Sequence, residues 1–160
     1  MLGALAGVML PGFLRADTHV GDETLLEVGA EPESGPAVEF DLTRLDTLQT
    51  RSFQTSTPWT EGVQRFSGPS LVDVLAAAAF VGNQVRAEAL NSYHAVLAVP
   101  EPQDPYPILC TRIDGRVLSV RDKGPIWIMY PFDSDERYRT ETFFGASVWH
   151  LVRLVVLADG

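Results

Sequence analysis

From residue 84 to the end of the chain, the apolar segments are short and are separated by turn residues. "VRAEAL", from residue 85, alternates apolar and charged side chains, and "HAVLAVP" follows after an Asn-Ser-Tyr corner. "ILCTRI" and "RVLSV" flank Asp114-Gly115, a pair that favours a tight hairpin turn. "IWIMYP" and "VWHLVRLVVL" are typical of largely buried strands. This part of the chain therefore predicts a β-rich domain.

One principal helix is predicted, over about residues 68–81. "SGPSLVDVLAAAAFVG" offers Ser67 or Ser70 as the N-cap, places Pro69 near the first turn and ends at Gly82. Its apolar face comprises Leu71, Val74, Leu75 and Ala78. A helix on many short strands with proline-marked corners predicts an α+β fold, with a mixed or barrel-like sheet rather than a doubly wound one.

The start of the chain predicts either export or a plain apolar N-terminus. Residues 1–16 are mostly apolar but too short to span a bilayer, which takes about 20 residues. They resemble the apolar part of a signal peptide with a cut after Ala16, although no basic residues precede it. We expect export to the periplasm, and the alternative is a cytosolic protein.

The rest of the chain predicts one domain behind a short tether. With 46% apolar residues, the chain is able to bury a core. Residues 17–36 are expected to form a polar tether with an early strand at 25–28, and residues 37–158 the domain. A second strand is predicted at Val38–Phe40, followed by a helical turn that Asp41 is able to cap.

Charge and cysteine count exclude several functions. The net charge of −9 leaves no basic surface of the kind that nucleic acids require. The single cysteine, Cys110, excludes an internal disulfide and any cysteine-based metal cluster, and we expect it to be a small buried apolar residue. The histidines His19, His94 and His150 are not spaced as metal ligands.

Three stretches carry a family resemblance through their order and spacing. They are "FQTSTPWT…FSGPSLVDVL" from residue 53, "LSVRDKGPIWIMYP" from residue 118 and the closing "VWHLVRLVVL". Together they resemble the oxidoreductase molybdopterin-binding domain, the sulfite-oxidase-like fold of sulfite oxidases and periplasmic methionine-sulfoxide reductases. The resemblance covers about residues 25–157 and implies that fold for nearly the whole domain.

The chain departs from the catalytic members of this family at the positions that matter for chemistry. The family's molybdenum-ligating cysteine corresponds to Thr55, whose neutral hydroxyl cannot replace a soft thiolate. In the family's His-Gly-x-Pro-x-Arg pattern, aligned on Pro125, Asp122 stands at the histidine and Trp127 at the arginine. The family's lysine near the last strand corresponds to Trp149. The resemblance therefore implies a rebuilt site without molybdenum.

The rebuilt site is expected to bind a pterin. Aromatic planes stack on such a flat ring, and polar side chains bind its donor edge and its carbonyl. The resemblance implies a non-catalytic periplasmic module, since some small members without the cysteine are thought to pass pterin status to membrane-bound enzymes of cyclic-di-GMP turnover. The expected residues are Trp59, Trp127, Trp149 and Tyr93 for stacking, Asn91 and Asp122 for the donor edge, and Arg121 or Lys123 for the carbonyl or a side-chain hydroxyl.

Other interpretations stay open at this point. An oxidoreductase that binds molybdopterin without a protein thiolate would keep the activity of the fold, and an interaction domain would have lost the ligand. Trp127 and Trp149 are alternatively core residues of their strands. Turn chemistry alone also explains "RDKG" at 121–124 and the corner at 91–93. The charged segment 133–141 is expected to be a solvated connector, with a partner surface as the alternative.

Overall fold

The computed structural model describes residues 23–33 and 35–158 of the 160-residue chain. Strands dominate this part of the chain, and each of its helices is short. The elements in chain order are β1 (Leu26–Glu31), β2 (Val38–Phe40), α1 (Leu42–Asp46), β3 (Thr50–Thr55), β4 (Gln64–Pro69), α2 (Leu71–Ala77), β5 (Gln84–Ala89), β6 (His94–Ala98), β7 (Ile108–Cys110), β8 (Arg112–Ile113), β9 (Arg116–Val117), β10 (Trp127–Met129), α3 (Glu141–Ala146) and β11 (Leu151–Leu157). Single 3-10 turns occur at Val120–Asp122 and Glu136–Tyr138.

The largest sheet is mixed and has the strand order β2-β1-β11-β5-β6. β1 and β11 are parallel, and the other neighbours in this sheet are antiparallel. β11 lies in the middle with most of its residues buried, which explains its nearly continuous apolar sequence. In β5, Val85, Ala87 and Ala89 are buried, whereas Arg86 and Glu88 are partly exposed. The predicted alternation in β5 is therefore confirmed.

Two smaller sheets support the loops around the candidate site. One has the order β3-β4-β8-β9, and the other pairs β10 with β7. β4 passes close to β7 at Gly68, where an added Cβ would lie 2.0 Å from the Leu109 carbonyl oxygen, so only glycine fits. Asp114 and Gly115 both have left-handed φ values and join β8 to β9. The predicted hairpin turn is therefore confirmed.

Every sheet in the described part of the chain is open. The α+β, β-rich prediction and the mixed sheet are confirmed, whereas closure into a barrel is not observed. Prolines interrupt the hydrogen-bonded pairing between β4 and β7: Pro69 is the last residue of β4, and Pro107 directly precedes β7. Because proline has no N–H to donate, an isolated bridge between Ser70 and Ile108 takes the place of a continuous ladder there.

The helix predicted over 68–81 is shorter at its N-terminal end. α2 begins after Ser70, whose Oγ accepts a hydrogen bond from the Asp73 N–H (3.0 Å). Ser70, one of the two predicted N-caps, is therefore the cap. Residues 67–69 belong to β4, where pairing with β3 and β8 outweighs their helix-start signals.

The same helix ends in a Schellman motif at Ala79, rather than at Gly82 as predicted. Ala79 has a φ of 60°, and its N–H donates to the Ala76 carbonyl oxygen (3.0 Å). The Phe80 N–H donates to the Leu75 carbonyl oxygen (3.1 Å), which completes the motif. A left-handed residue thus stops the alanine run despite its high helix propensity. The predicted apolar face is confirmed, because Leu71, Val74, Leu75 and Ala78 are all buried.

The elements nearest the N-terminus include both early strands that the sequence predicts. β1 lies between β2 and β11, so the main sheet already includes part of the predicted tether 17–36. Asp41 caps α1, since its Oδ1 accepts from the Arg44 N–H (2.6 Å). The predicted signal segment 1–16 lies outside the described residues. Within residues 23–33 and 35–158, no helix is long and apolar enough to cross a membrane.

Candidate ligand-binding site

A cavity of about 220 Å³ opens beside α3 and brings together distant parts of the chain. Trp59 comes from the loop after β3, and Trp149 from the residues before β11. Asn91 and Tyr93 come from the corner between β5 and β6. All four are predicted site residues. The rest of the lining comes from Phe144, Gly145, Ser147 and Val148.

Trp59 lies at the centre of an aromatic cluster that forms one wall of the cavity. Its ring centroid is 5.8 Å from those of both Trp127 and Trp149. Phe144 and Phe132 complete the cluster at 5.9 and 6.0 Å, and each of these contacts with Trp59 is T-shaped. The cluster contains all three tryptophans of the chain.

Trp127 supports this wall from behind and is not part of the lining. Its side chain is fully buried on β10, and its Nε1–H donates to the Ser147 carbonyl oxygen (3.1 Å). The structure therefore places Trp127 behind the lining, where the core alternative puts it, and its predicted contact with a ligand stays a prediction. Trp149, in contrast, is partly exposed and lines the cavity.

The corner at 91–93 supplies the polar edge of the cavity. The Tyr93 hydroxyl donates to the Gly145 carbonyl oxygen (2.8 Å), which fixes the ring against α3. The Asn91 Oδ1, expected to accept from a ligand, already accepts from the Tyr93 N–H (3.2 Å). The Asn91 amide NH₂ makes no hydrogen bond within the described residues, so its donors remain available to a ligand.

Of the charged residues in the turn at 121–124, only Lys123 approaches the cavity wall. Its Nζ lies 5.0 Å from the Trp149 ring centroid and 5.8 Å from that of Trp127. Asp122 accepts from the Ser119 hydroxyl (2.8 Å) and lines a separate surface pocket near β9. Arg121 is exposed and is not part of the lining. The structure therefore places Arg121 and Asp122 in a polar turn away from this cavity, and their predicted ligand contacts stay predictions.

Three of the five described non-glycine residues with positive φ surround this cavity. Ser92 (68°) lies between Asn91 and Tyr93, Lys123 (71°) faces the tryptophans, and His150 (54°) follows Trp149. The left-handed conformation costs an L-residue about 1–2 kcal/mol. Non-glycine residues in this conformation concentrate at functional sites. Their positions around the cavity therefore also indicate that this cavity is a functional site.

Hydrogen bonds hold these left-handed residues in place. The His150 backbone N–H donates to the Lys123 carbonyl oxygen (3.0 Å). The His150 ring Nδ1–H donates to the Gly124 carbonyl oxygen (2.6 Å). The His150 carbonyl oxygen accepts from the Leu90 N–H (3.0 Å), beside the Asn91 corner. The Gly124 N–H in turn donates to the Ser119 carbonyl oxygen (2.7 Å). The cavity edge is therefore organised before any ligand binds.

Thr55, which the predicted resemblance aligns with a molybdenum-ligating cysteine, has a structural role. It is fully buried, and its hydroxyl donates to the Ser56 carbonyl oxygen and accepts from the Asp133 N–H, both at 3.0 Å. The Ser56 N–H and hydroxyl both donate to the Asp133 carboxylate at 2.7 Å, and Arg139 pairs with it. The Ser56 hydrogen bonds, followed by the Arg139 interaction, lower the pKa of Asp133. This network ties the loop after β3 to the loop before α3.

The described residues do not form a metal centre. Within 23–33 and 35–158, no group of three histidine, cysteine, aspartate or glutamate side chains is placed to hold an ion. Cys110 is fully buried, and its thiol donates to the Arg112 carbonyl oxygen (3.1 Å). Burial raises the pKa of Cys110 to about 12, so it stays a protonated thiol at neutral pH.

α3 contributes a wall of the cavity that its sequence does not predict. Phe144 and Gly145 lie at its end, and Ser147 and Val148 follow it. A six-residue helix is too short to show periodicity, and its N-cap, Thr140, makes no side-chain hydrogen bond. The Phe-Phe pair after the charged segment is the one signal in the sequence for an aromatic wall here.

A scan against models of known protein families finds no match to this chain, and a search of curated proteins finds none either. Fold and site therefore define a coarser class, a β-rich α+β protein with a preorganised, aromatic-lined cavity. The chemistry of that cavity is the ground for a functional conclusion.

Proposed function

We propose that the cavity binds a pterin, or a similarly flat bicyclic heterocycle, and that the protein is a binding module rather than a catalyst. The main support for this proposal is one cavity lined by the rings of Trp59, Tyr93 and Trp149 and by the Asn91 amide. The sequence predicts the same residues for a pterin site, and Trp59 and Trp149 lie in stretches that resemble the molybdopterin-binding family. A sulfite-oxidase-like fold for the domain belongs to the same proposal.

The size and chemistry of the cavity suit a single flat ring system. Trp59 and Trp149 meet at 68°, which leaves aromatic faces on which a heterocycle is able to stack. The volume of about 220 Å³ lies below the roughly 300 Å³ at which pockets for drug-sized ligands begin. A bicyclic head group therefore fits better than a dinucleotide. The Asn91 amide and the Lys123 ammonium are donors suited to the ring carbonyl and nitrogens.

The lining supports binding better than catalysis. Among the described residues that line the cavity, none is a histidine, cysteine, lysine or acid. Ser147 carries the only aliphatic hydroxyl of the lining, and its Oγ donates to the Phe143 carbonyl oxygen (2.8 Å) instead of to a base. A hydroxyl without a neighbouring base is a weak nucleophile.

The residues do not fit the molybdenum that an oxidoreductase of this fold would need. Thr55 lies outside the lining, and its hydroxyl both donates to and accepts from backbone groups. Cys110 is a buried thiol with a raised pKa, hydrogen-bonded to Arg112. Metal analysis of the protein purified from molybdopterin-producing cells tests this alternative. We expect no molybdenum, and one molybdenum per chain would favour the enzyme.

Tryptophan fluorescence tests pterin binding directly, because all three tryptophans of the chain belong to the cluster at the cavity. Pterins absorb where tryptophan emits, so a bound pterin quenches that emission. We expect saturable quenching by oxidised or reduced pterins at micromolar concentrations, which corresponds to about 8 kcal/mol of binding free energy. Adenine, a flat heterocycle with a different donor pattern, is expected to bind more weakly.

Two variants and a matched control locate the ligand. Lys123→Met and Asn91→Ala remove the donors at the cavity, and each is expected to weaken pterin binding about tenfold. Arg121→Met removes an exposed cation from the same turn that, unlike Lys123, does not lie over Trp127 or Trp149, so its affinity should equal that of the original protein. Absence of binding to the original protein, or equal affinity in all four proteins, would overturn the proposal.

Signalling to a membrane-bound enzyme of cyclic-di-GMP turnover is a further part of this proposal and rests on the family resemblance alone. Leu90 and Tyr93 are 58% and 49% exposed at the corner beside the cavity, so a partner that contacts them would also contact a bound ligand. Leu90→Asp is expected to abolish capture of such a partner from native membranes and to leave pterin binding unchanged. Unchanged capture would contradict this surface.

A further inference from the structure

A second cavity, of about 270 Å³, shares α3 with the first one. Phe143 and Ala146 line it, whereas Phe144 and Gly145 line the first cavity. Its other walls come from β6, from the loop before β7 and from the residues between β10 and α3. None of its lining residues takes part in the proposed pterin site.

Tyr130 places an unpartnered hydroxyl at this cavity. Its side chain is only 5% exposed, and its ring packs against Phe143 (4.9 Å) and Tyr138 (5.8 Å). The ring is buried, but the hydroxyl reaches the cavity and makes no hydrogen bond within the described residues. Burial, followed by the charges of Tyr138 and Asp104, raises the pKa of Tyr130, so the hydroxyl stays a donor. An atom of a ligand would satisfy it.

Charges of both signs line the same cavity. The Arg137 guanidinium lies 4.6 Å from the Tyr138 ring centroid and donates to the Tyr138 hydroxyl oxygen (2.6 Å). The Arg137 Nε also lies 3.7 Å from Asp135 Oδ2, but a guanidinium has five N–H donors, so Arg137 retains others for a ligand. Asp104 accepts from the Tyr106 N–H through Oδ1 (3.1 Å), and its Oδ2 makes no hydrogen bond within the described residues.

We propose that this cavity binds a small zwitterion with an apolar side chain, which is the chemistry of an apolar or aromatic α-amino acid. The ligand carboxylate pairs with Arg137 and accepts from the Tyr130 hydroxyl. The ligand ammonium pairs with the free oxygen of Asp104. The apolar side chain packs among the rings of Tyr106 and Phe143.

The presence of both charges selects a zwitterion over singly charged ligands. A ligand with one charge would pair with only one of Arg137 and Asp104, so it would form one ion pair where a zwitterion forms two. The terminal residue of a peptide carries only one of the two charges next to its side chain. We therefore expect a free amino acid to bind more tightly than a peptide terminus. Derivatives of one amino acid separate these cases.

Isothermal titration calorimetry with the whole chain provides the test. L-Phenylalanine and L-leucine are expected to bind, whereas N-acetyl-L-phenylalanine and L-phenylalaninamide, each of which lacks one charge, should bind at least about tenfold more weakly. Absence of binding by both amino acids at millimolar concentrations would overturn the proposal. A derivative that binds as tightly as L-phenylalanine would also overturn it, because one of the two charges would then not be recognised.

Two variants assign the contacts. Tyr130→Phe removes no hydrogen bond of the described protein, so it should fold normally and weaken L-phenylalanine binding about tenfold. Asp104→Asn is expected to have an effect of similar size. Glu101→Gln, with the same charge change in the same loop but outside the lining, is the control and should bind normally. Unchanged affinity in both Tyr130→Phe and Asp104→Asn would refute the assignment. Pterin quenching in Tyr130→Phe should be unaltered, which separates this site from the first.

Discussion

Lys123 combines a left-handed backbone with a cation beside the first cavity, and substitution is able to separate the two properties. Lys123→Gly and Lys123→Ala both remove the ammonium, but only glycine adopts a φ of 71° without strain. Strain of about 1–2 kcal/mol in the alanine variant is partly offset by the additional backbone entropy of about 0.5–1 kcal/mol that glycine loses on folding. We therefore expect Lys123→Gly to be the more stable variant by about 0.5–1 kcal/mol.

This difference requires that the backbone at position 123 cannot relax in the alanine variant. The Lys123 carbonyl oxygen accepts from the His150 N–H (3.0 Å), and the Gly124 N–H donates to the Ser119 carbonyl oxygen (2.7 Å). An added Cβ at Gly124 would lie 2.7 Å from the Leu118 carbonyl oxygen, so the chain is closely packed there. Both neighbours of the peptide unit are thus fixed.

Urea titration and thermal melting of the two variants measure the difference. For a domain of this size we expect the melting temperatures to differ by about 2–3 °C. Pterin affinity should be reduced equally in both variants, because both lack the ammonium. Equal stability of the two variants would refute the claim of strain, and unequal pterin affinity would show that the backbone, rather than the ammonium, determines binding.

Four further substitutions or measurements test other parts of the structure. Ala79→Gly should raise the free energy of unfolding by about 0.5–1 kcal/mol, since it relieves the left-handed alanine of the Schellman motif, as a urea titration will show. Gly68→Ala should lower that free energy by at least about 3 kcal/mol, measured in the same way, because its Cβ would lie 2.0 Å from the Leu109 carbonyl oxygen. Cys110, with its pKa raised to about 12, should resist thiol reagents at pH 8 in the folded protein and react only in denaturant. The lowered pKa of Asp133 stabilises the fold above the unfolded value of about 4, and this contribution is lost as the pH falls through the folded pKa. Melting curves should therefore show Asp133→Asn to be less stable than the original protein at pH 7, with a gap that narrows towards pH 3.

Features that depend on a few adjacent residues were predictable from the sequence. The Asp114-Gly115 turn, the Ser70 cap and the Asp41 cap each arise from local backbone chemistry, and each is confirmed. Features that depend on distant partners were not. Residues 67–69 carry helix-start signals but pair with the preceding strand β3, and Ser67 also pairs with Arg112 of the distant β8. Ala79 adopts a conformation that its residue type disfavours.

In the candidate site, too, some residues were predictable from the sequence and others were not. The sequence predicted Trp59 and Trp149 together from their places in the quoted stretches, and the structure brings both to one cavity. The turn at 121–124 offers three charged residues in succession, and which of them faces the cavity depends on the left-handed φ of Lys123. Nothing local in the sequence indicates that conformation, so Asp122 and Arg121 could not be separated from Lys123 beforehand.

The consecutive residues Phe143 and Phe144 give α3 a place in the walls of both cavities. A ligand that displaces α3 at one cavity thereby changes the shape of the other. Thermodynamic reciprocity requires that any such coupling act in both directions by the same factor. Such coupling would have to act through a six-residue helix whose Gly145 carbonyl oxygen accepts from the Tyr93 hydroxyl at the first cavity.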